Sequence, residues 1–350
     1  MTLTEISYYS RKLAPLLLLF FLIFLIIFYS FKLFFFYLEV NKPKVQIVPS
    51  LFGKIEAPYI KDATSSAFFS YILDTVEGKP VTTTDSAKVF FLDKPTTKFG
   101  YREKIYLMAK TFGFDTELVK HKLVDNQAVF YDGEKKLEIN IANFNFKYET
   151  KPKTESLIDS GTFIPSEKVI ENKAIDFLKK VGRYPDELAT GLTKIIYIQY
   201  DPTLNVYNNV KSKKEANLVE VDFYRANIDI YPVVSPRFFN SQNFVIMEFD
   251  KDGNNQVIKA QIAFFEKSNS QFDIYPIKTA EVAWEEFQKG KGKVVAATYG
   301  QKQVVIKQIF LAYYDPDFYQ SFLEPVYVFI GDNNFVGYLP AITSQYLIEN

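Results

Sequence analysis

The one histidine in the chain, His121, lies in "ELVKHKLVD". A Ser-His-Asp relay or a histidine-ligated metal would need it as base or ligand. Its neighbours alternate as in a half-buried strand, so a structural histidine is the expectation. Cysteine is absent, which removes thiolate metal sites, cysteine nucleophiles and structural disulfides together. Acid–base chemistry then falls to carboxylates, and the most conspicuous pair is Glu285 and Glu286, beside the single tryptophan in "TAEVAWEEFQKGKG".

Read as a helix over 280–289, that stretch turns Ala280, Ala283, Trp284 and Phe287 to the core. Glu281, Glu285 and Glu286 are left on or near the wet side, where carboxylates keep ordinary pKa values and make poor proton shuttles. Asp315, Asp317 and Glu324 could still converge in space as a glycosidase-type pair, since separation across a fold is invisible in sequence. "DKDGNN", beginning at Asp250, starts like a calcium loop, but Asn255 stands where the sharp turn needs glycine and Gln261 where a bidentate glutamate is needed. It reads as a hairpin turn. "GKGKV" at 290–294 lacks the phosphate-loop spacing and follows a helix, so it reads as a helix stop. No cofactor and no metal are expected.

The elements that would position these residues begin with an anchor. From Leu13 to Phe31 there are nineteen residues without a charge, about 28 Å of helix against a hydrocarbon core of about 30 Å. Pro15 is expected in its first turn, with Tyr8, Tyr9 and Tyr37 at the interfaces and Lys32 snorkelling. The residues that follow offer no small-x-small cleavage site, which favours a retained signal anchor over a cleaved signal peptide. The short N-terminal tail favours N-inside topology.

The rest of the chain, with 48% apolar residues overall, can supply a substantial core. Basic and acidic residues are equal at 41 each, with no basic patch, so no nucleic-acid partner is expected. Only five of the basic residues are arginine, while Phe, Tyr, Ile, Asn and Lys abound, and the many aromatics are read mainly as core and compositional bias.

Helical spacing recurs at Tyr101, Ile105, Met108, Ala109 and Phe112 before Gly113, and at Ile170, Ala174, Phe177, Leu178 and Val181 between Ser166 and Gly182. The 280–289 helix, after Thr279, is the third. Strand-like runs follow each, with hairpin turns at Asp132–Gly133 and Asp252–Gly253. "IDIYPVV" and "FDIYPIK" echo one another, each read as a strand ending at Tyr-Pro. The fold class is α+β: one N-terminal transmembrane helix, then repeated helix-plus-antiparallel-sheet units. The expected divisions are a cytoplasmic tail (1–12), a transmembrane helix (13–38), an extended linker (39–62), and two α+β domains (63–155 and 156–350), the second containing a C-terminal unit over about 272–340.

The strand ending at Pro276, the Thr279-Ala280-Glu281 helix start, the exit through Gly290 and Gly292, "LAYYD" at 311–315 and Pro325-Val326-Tyr327-Val328-Phe329 make the C-terminal part similar to PepSY-like and YycH/YycI-type regulators, extracytoplasmic partners of a histidine kinase. With the anchor, "LFGKIEAP" at 51–58 and "VEVDFYR" at 219–225, most of the chain also resembles single-pass proteins of small-genome candidate-phyla bacteria. The resemblance brings no catalytic residues. It implies a membrane-anchored extracytoplasmic binding or regulatory module without catalytic activity, touching the bilayer through residues 13–31 and another envelope or membrane protein through its folded part. An envelope glycan-acting enzyme using paired carboxylates is the alternative. The alternating aromatics of the last strands make Tyr327 and Phe329 the candidate partner surface.

Overall fold

The structure, a computed structural model, describes residues 3–40, 48–49, 51–61, 63–152, 164–250 and 252–348. Helix α1 runs Leu3–Val40. Its stretch Leu13–Tyr37 is long and apolar enough to cross a membrane, and none of its side chains is buried. Because the helix begins well before the apolar run, Pro15 falls inside it and not in its first turn. An interior proline removes one helical hydrogen bond, a defect that membrane helices tolerate.

The folded body begins at Val48, earlier than the expected start near Ala63. Ile55, Pro58 and Ile60 are buried, and Ile55 bridges to Leu347, with Ile55 N–H donating to the Tyr346 carbonyl at 3.0 Å. Residues 51–61 of the expected linker (39–62) therefore belong to the packed body and 39–40 to α1, while 41–47 lie outside the described residues, as does the expected boundary at 155/156.

Among the described residues the body contains two nine-stranded sheets, antiparallel except where Ser70–Leu73 and Val233–Val234 pair with Gln303–Tyr314. The α+β class holds. One sheet has the spatial order Lys122–Val124, Gln127–Asp132, Lys135–Asn140, Phe146–Glu149, Asn255–Ile262, Phe244–Phe249, Leu218–Phe223, Thr193–Asp201 and Val206–Val210. Helices α2 (Tyr101–Thr111) and α3 (Glu167–Val181) lay their apolar stripes on one of its faces. Ile105, Met108 and Ala109 of α2, and Ile170, Ala174, Leu178 and Val181 of α3, join Phe130, Leu137, Val221 and Met247 in a single core. Gly113 and Gly182 stop these helices in the left-handed region, and both Asp-Gly pairs turn hairpins, as the sequence implies.

The other sheet is built from both ends of the body. Thr64–Ser65, Lys293–Ala296, Val336–Pro340, Phe322–Gly331, Gln303–Tyr314 and Val233–Val234 lie in that order. Ser86–Leu92 pairs with Lys267–Pro276 and touches Phe322–Gly331. A division into 63–155 and 156–350 is therefore overturned: strands 64–92 belong with the C-terminal sheet, and Phe146–Glu149 pairs with Asn255–Ile262. Register between strands so far apart in the chain leaves no local trace. The "IDIYPVV" echo also fails structurally, since its Tyr-Pro precedes a strand while that of "FDIYPIK" ends one.

Arg225 ties the sheets together. Its fully buried guanidinium donates to Asp315 Oδ1 (3.0 Å), Glu187 Oε2 (2.7 Å) and the Phe265 carbonyl (2.6 Å), with Phe264 stacked 4.0 Å away.

Candidate functional site

The helices cover one face of the first sheet, and strand alternation sends polar residues to the other. Register aligns them in two rows. Lys194, Asp222, Phe244, Gln261, Lys147 and Glu138 form one; Ile196, Glu220, Ile246, Lys259, Glu149 and Lys136 form the next. Opposite charges alternate along both rows, and Lys136 pairs with Glu138 at 2.6 Å.

Glu220 and Asp222, two residues apart on one strand, point the same way. Burial, then the neighbouring Asp222 charge, pushes the Glu220 carboxyl up to about 8, against the pull of Lys194 and Arg237. Burial likewise raises Asp222, whose Oδ2 accepts from Ser241 N–H (3.0 Å) and lies 3.3 Å from the Tyr224 hydroxyl. Asp222 Oδ1 has no other hydrogen-bond donor, so a neutral Glu220 can share its proton there. Lys259 is lowered by burial, offset by Glu149, and its ammonium sits 4.0 Å from the centre of the Tyr207 ring.

Two adjoining clefts of about 450 and 240 Å³ open over this face and share Lys147, Gln261 and Asp317. The larger carries amides from Gln127, Asn140, Asn143 and Asn145; the smaller is walled by Arg237, Asn240 and Gln242. Gln242 Nε2 donates to Asp315 Oδ2 at 2.8 Å, which fixes the amide and leaves Oε1 buried without a partner. Asp317 Oδ1 is likewise buried and unpartnered. Buried polar atoms are nearly always hydrogen-bonded, so two orphans lining one cleft make it the candidate site.

The structure separates Asp315, Asp317 and Glu324. Asp315 is consumed by Arg225 and Gln242, Asp317 lines the clefts, and Glu324 lies at another cleft beside Glu56. Tyr327 and Phe329 are no partner surface. Both are buried, Tyr327 donating its hydroxyl to the Lys278 carbonyl (2.7 Å) and Phe329 stacking on Phe287 with ring centres 4.0 Å apart. Both faces of their strand are covered, because the helix Ala280–Glu286 (α5; α4 is the short Asp186–Ala189) packs on one side and Tyr314 and Tyr338 pack on the other.

Glu285 is exposed and pairs with Lys289, whereas Glu286 is drawn in, 2.9 Å from both Lys278 and Lys291. Burial alone would raise Glu286, but the two lysines hold it below the usual carboxylate range. His121 sits in a loop just before its strand, half-buried, with Nδ1 3.1 Å from the Tyr106 hydroxyl. Burial, then Arg102, lowers its pKa.

The Glu220–Asp222 pair was readable as an i, i+2 carboxylate repeat in "LVEVDF", where two acids interrupt an otherwise apolar strand. Gln242 had no such signal, since its role depends on Asp315 arriving from the other sheet.

No protein-family model matches the chain, and no curated protein does. Among solved structures, an uncharacterized protein from Eubacterium rectale ATCC 33656 aligns over 78% of this chain and 89% of its own, at 12% identity and a TM-score of 0.37.

Proposed function

We propose that this protein is a membrane-anchored binding module that presents the body from Val48 onward outside the cytoplasm and grips an extended segment of another envelope or membrane protein in the paired clefts. The observation that carries the reading is the pair of buried, unpartnered oxygens of Gln242 and Asp317 in a cleft lined with amides and balanced charges. Amide side chains suit the donors and acceptors of an extended backbone, and alternating Lys and Glu suit a segment of mixed charge. The apolar stretch Leu13–Tyr37, long enough to cross a bilayer, supports the anchor. The likeness of the C-terminal part to PepSY-like and YycH/YycI-type regulators supports a signalling partner.

A photo-crosslinking amino acid at Gln261, in the full chain in its native membrane, is expected to capture one protein, with capture lost on Asp317→Ala. A crosslinker that finds no protein partner from Gln261 would sink the reading. The second reading, a glycan-cleaving enzyme, is favoured by Glu220, whose raised carboxyl keeps a proton to donate on a sheet face that also carries Asp222. Release of reducing ends from envelope glycan by the wild type and not by Glu220→Gln would establish it instead.

A further inference from the structure

Across Phe318 and Tyr319 from the larger of the paired clefts, another of about 400 Å³ opens between residues 54–59 and the loop leading into Phe322–Gly331. Glu324 lines it, 3% exposed, with Oε2 buried and without a hydrogen-bond partner. Burial holds its carboxyl far above the usual range, and the nearby Glu56 charge pushes the same way. Glu56 is exposed at the mouth, as is Tyr59, whose ring meets Phe318 edge-on with centres 5.5 Å apart. The Tyr59 backbone is clamped by the Gln320 amide, accepting at 3.0 Å and donating at 2.9 Å. The other charged or titratable groups around Glu324 include Lys54 at the rim, Tyr319 in the wall, Tyr314 directly opposite on the neighbouring strand, and Tyr275, whose hydroxyl donates to the Gly53 carbonyl at 2.8 Å.

We propose that this cleft binds the primary ammonium group of a small ligand or side chain, which sits between Glu324 and Glu56 and takes the place of the Glu324 proton. An anion would meet two acids, and a neutral ligand would draw no charge attraction from either. A compact ammonium can divide its three donors between Glu324 and Glu56, whereas a guanidinium's planar fork would be spent on the two oxygens of one carboxylate. The aromatic mouth of Tyr59 and Phe318 suits the methylenes behind that charge. Charge balances in the exchange: the ammonium enters with its three protons, the neutral Glu324 carboxyl becomes carboxylate, and one proton leaves to solvent.

Because a cation and a proton compete for one carboxylate, affinity should rise about tenfold per pH unit while Glu324 is neutral in the free protein. The test uses the full chain in detergent micelles, n-butylamine as probe and n-butanol as its uncharged counterpart, with calorimetry in two buffers of different ionisation enthalpy. The expected result is release of about one proton per amine bound and no binding of the alcohol. Glu324→Gln should abolish the proton release and weaken binding at least about tenfold. Should that variant fold poorly, Tyr59→Ala at the exposed rim should weaken the amine and leave the proton release intact. Infrared spectra of the wild type should also lose a protonated-carboxyl stretch when the amine is added. Binding that is independent of pH, equal binding of the alcohol, or displacement of the amine by sodium or calcium at equal concentration would each overturn the proposal.

Discussion

At Glu220 the folded chain holds a proton that the unfolded chain has already released at neutral pH. Its folded pKa of about 8 stands above an unfolded value of about 4.3 for a glutamate. The native state therefore binds more protons across that interval, and this contribution to stability is complete below about pH 4 and lost as pH rises toward about 8. Glu220→Gln should flatten part of the decline, the group's share being at most about 1.4 kcal/mol per pH unit. Urea midpoints across that range check it, and an unchanged slope would mean that Glu220 ionises normally in the fold. Arg225 is the opposite case, a buried cation whose partners are all in place. Arg225→Met should leave Asp315 buried and unpaired, costing about 3–5 kcal/mol. Adding Asp315→Asn should recover part of that loss in the same denaturation measurement.

At the scale of elements, helix α5 shows what local pattern reveals and what it conceals. Thr279 caps it through its side chain, accepting from Val282 N–H at 3.3 Å, and Ala280, Ala283 and Phe287 are buried as their spacing implies. Trp284 packs on Tyr71 and Phe329, with ring centres 5.8 and 6.1 Å away, though part of it stays at the surface. Trp284→Ala should cost about 3 kcal/mol, at the lower end for a large aromatic, and the native indole should emit to the blue of free tryptophan. Concealed was the fit of Phe287 against the sheet. A Cβ at Gly337 would stand 2.3 Å from the Phe287 ring and one at Gly292 2.2 Å from it, so both glycines are needed for close approach. Gly337→Ala should lower stability by about 1–3 kcal/mol through overpacking, and melting the variant measures it. Tyr327 and Phe329 were misread for the same reason: alternation shows that a strand has two faces, and only the tertiary neighbours decide whether both are covered.

At the scale of the whole molecule, the caps, hairpins and helix stripes were legible because each depends on residues within a few turns of one another. The pairing of strands across the chain was not. Ser70–Leu73 completes a sheet with Gln303–Tyr314, and Ser86–Leu92 joins Lys267–Pro276, so the N-terminal strands have no sheet of their own. Phe146–Glu149 in turn bonds to Asn255–Ile262, which removes the other side of any division near residue 155. Contacts this distant in sequence impose a large loop-closure cost before they are rewarded, and the body should fold slowly and as one cooperative unit. Expressed separately, 63–155 and 156–350 should each present unpaired strand edges and aggregate, while the two halves co-expressed should recover some soluble complex. Removal of residues 1–47 should leave the body folded, since Val48 begins it. Circular dichroism and a denaturant transition on the three products decide the matter, and a cooperative transition in either half alone would show that the sheets are separable after all.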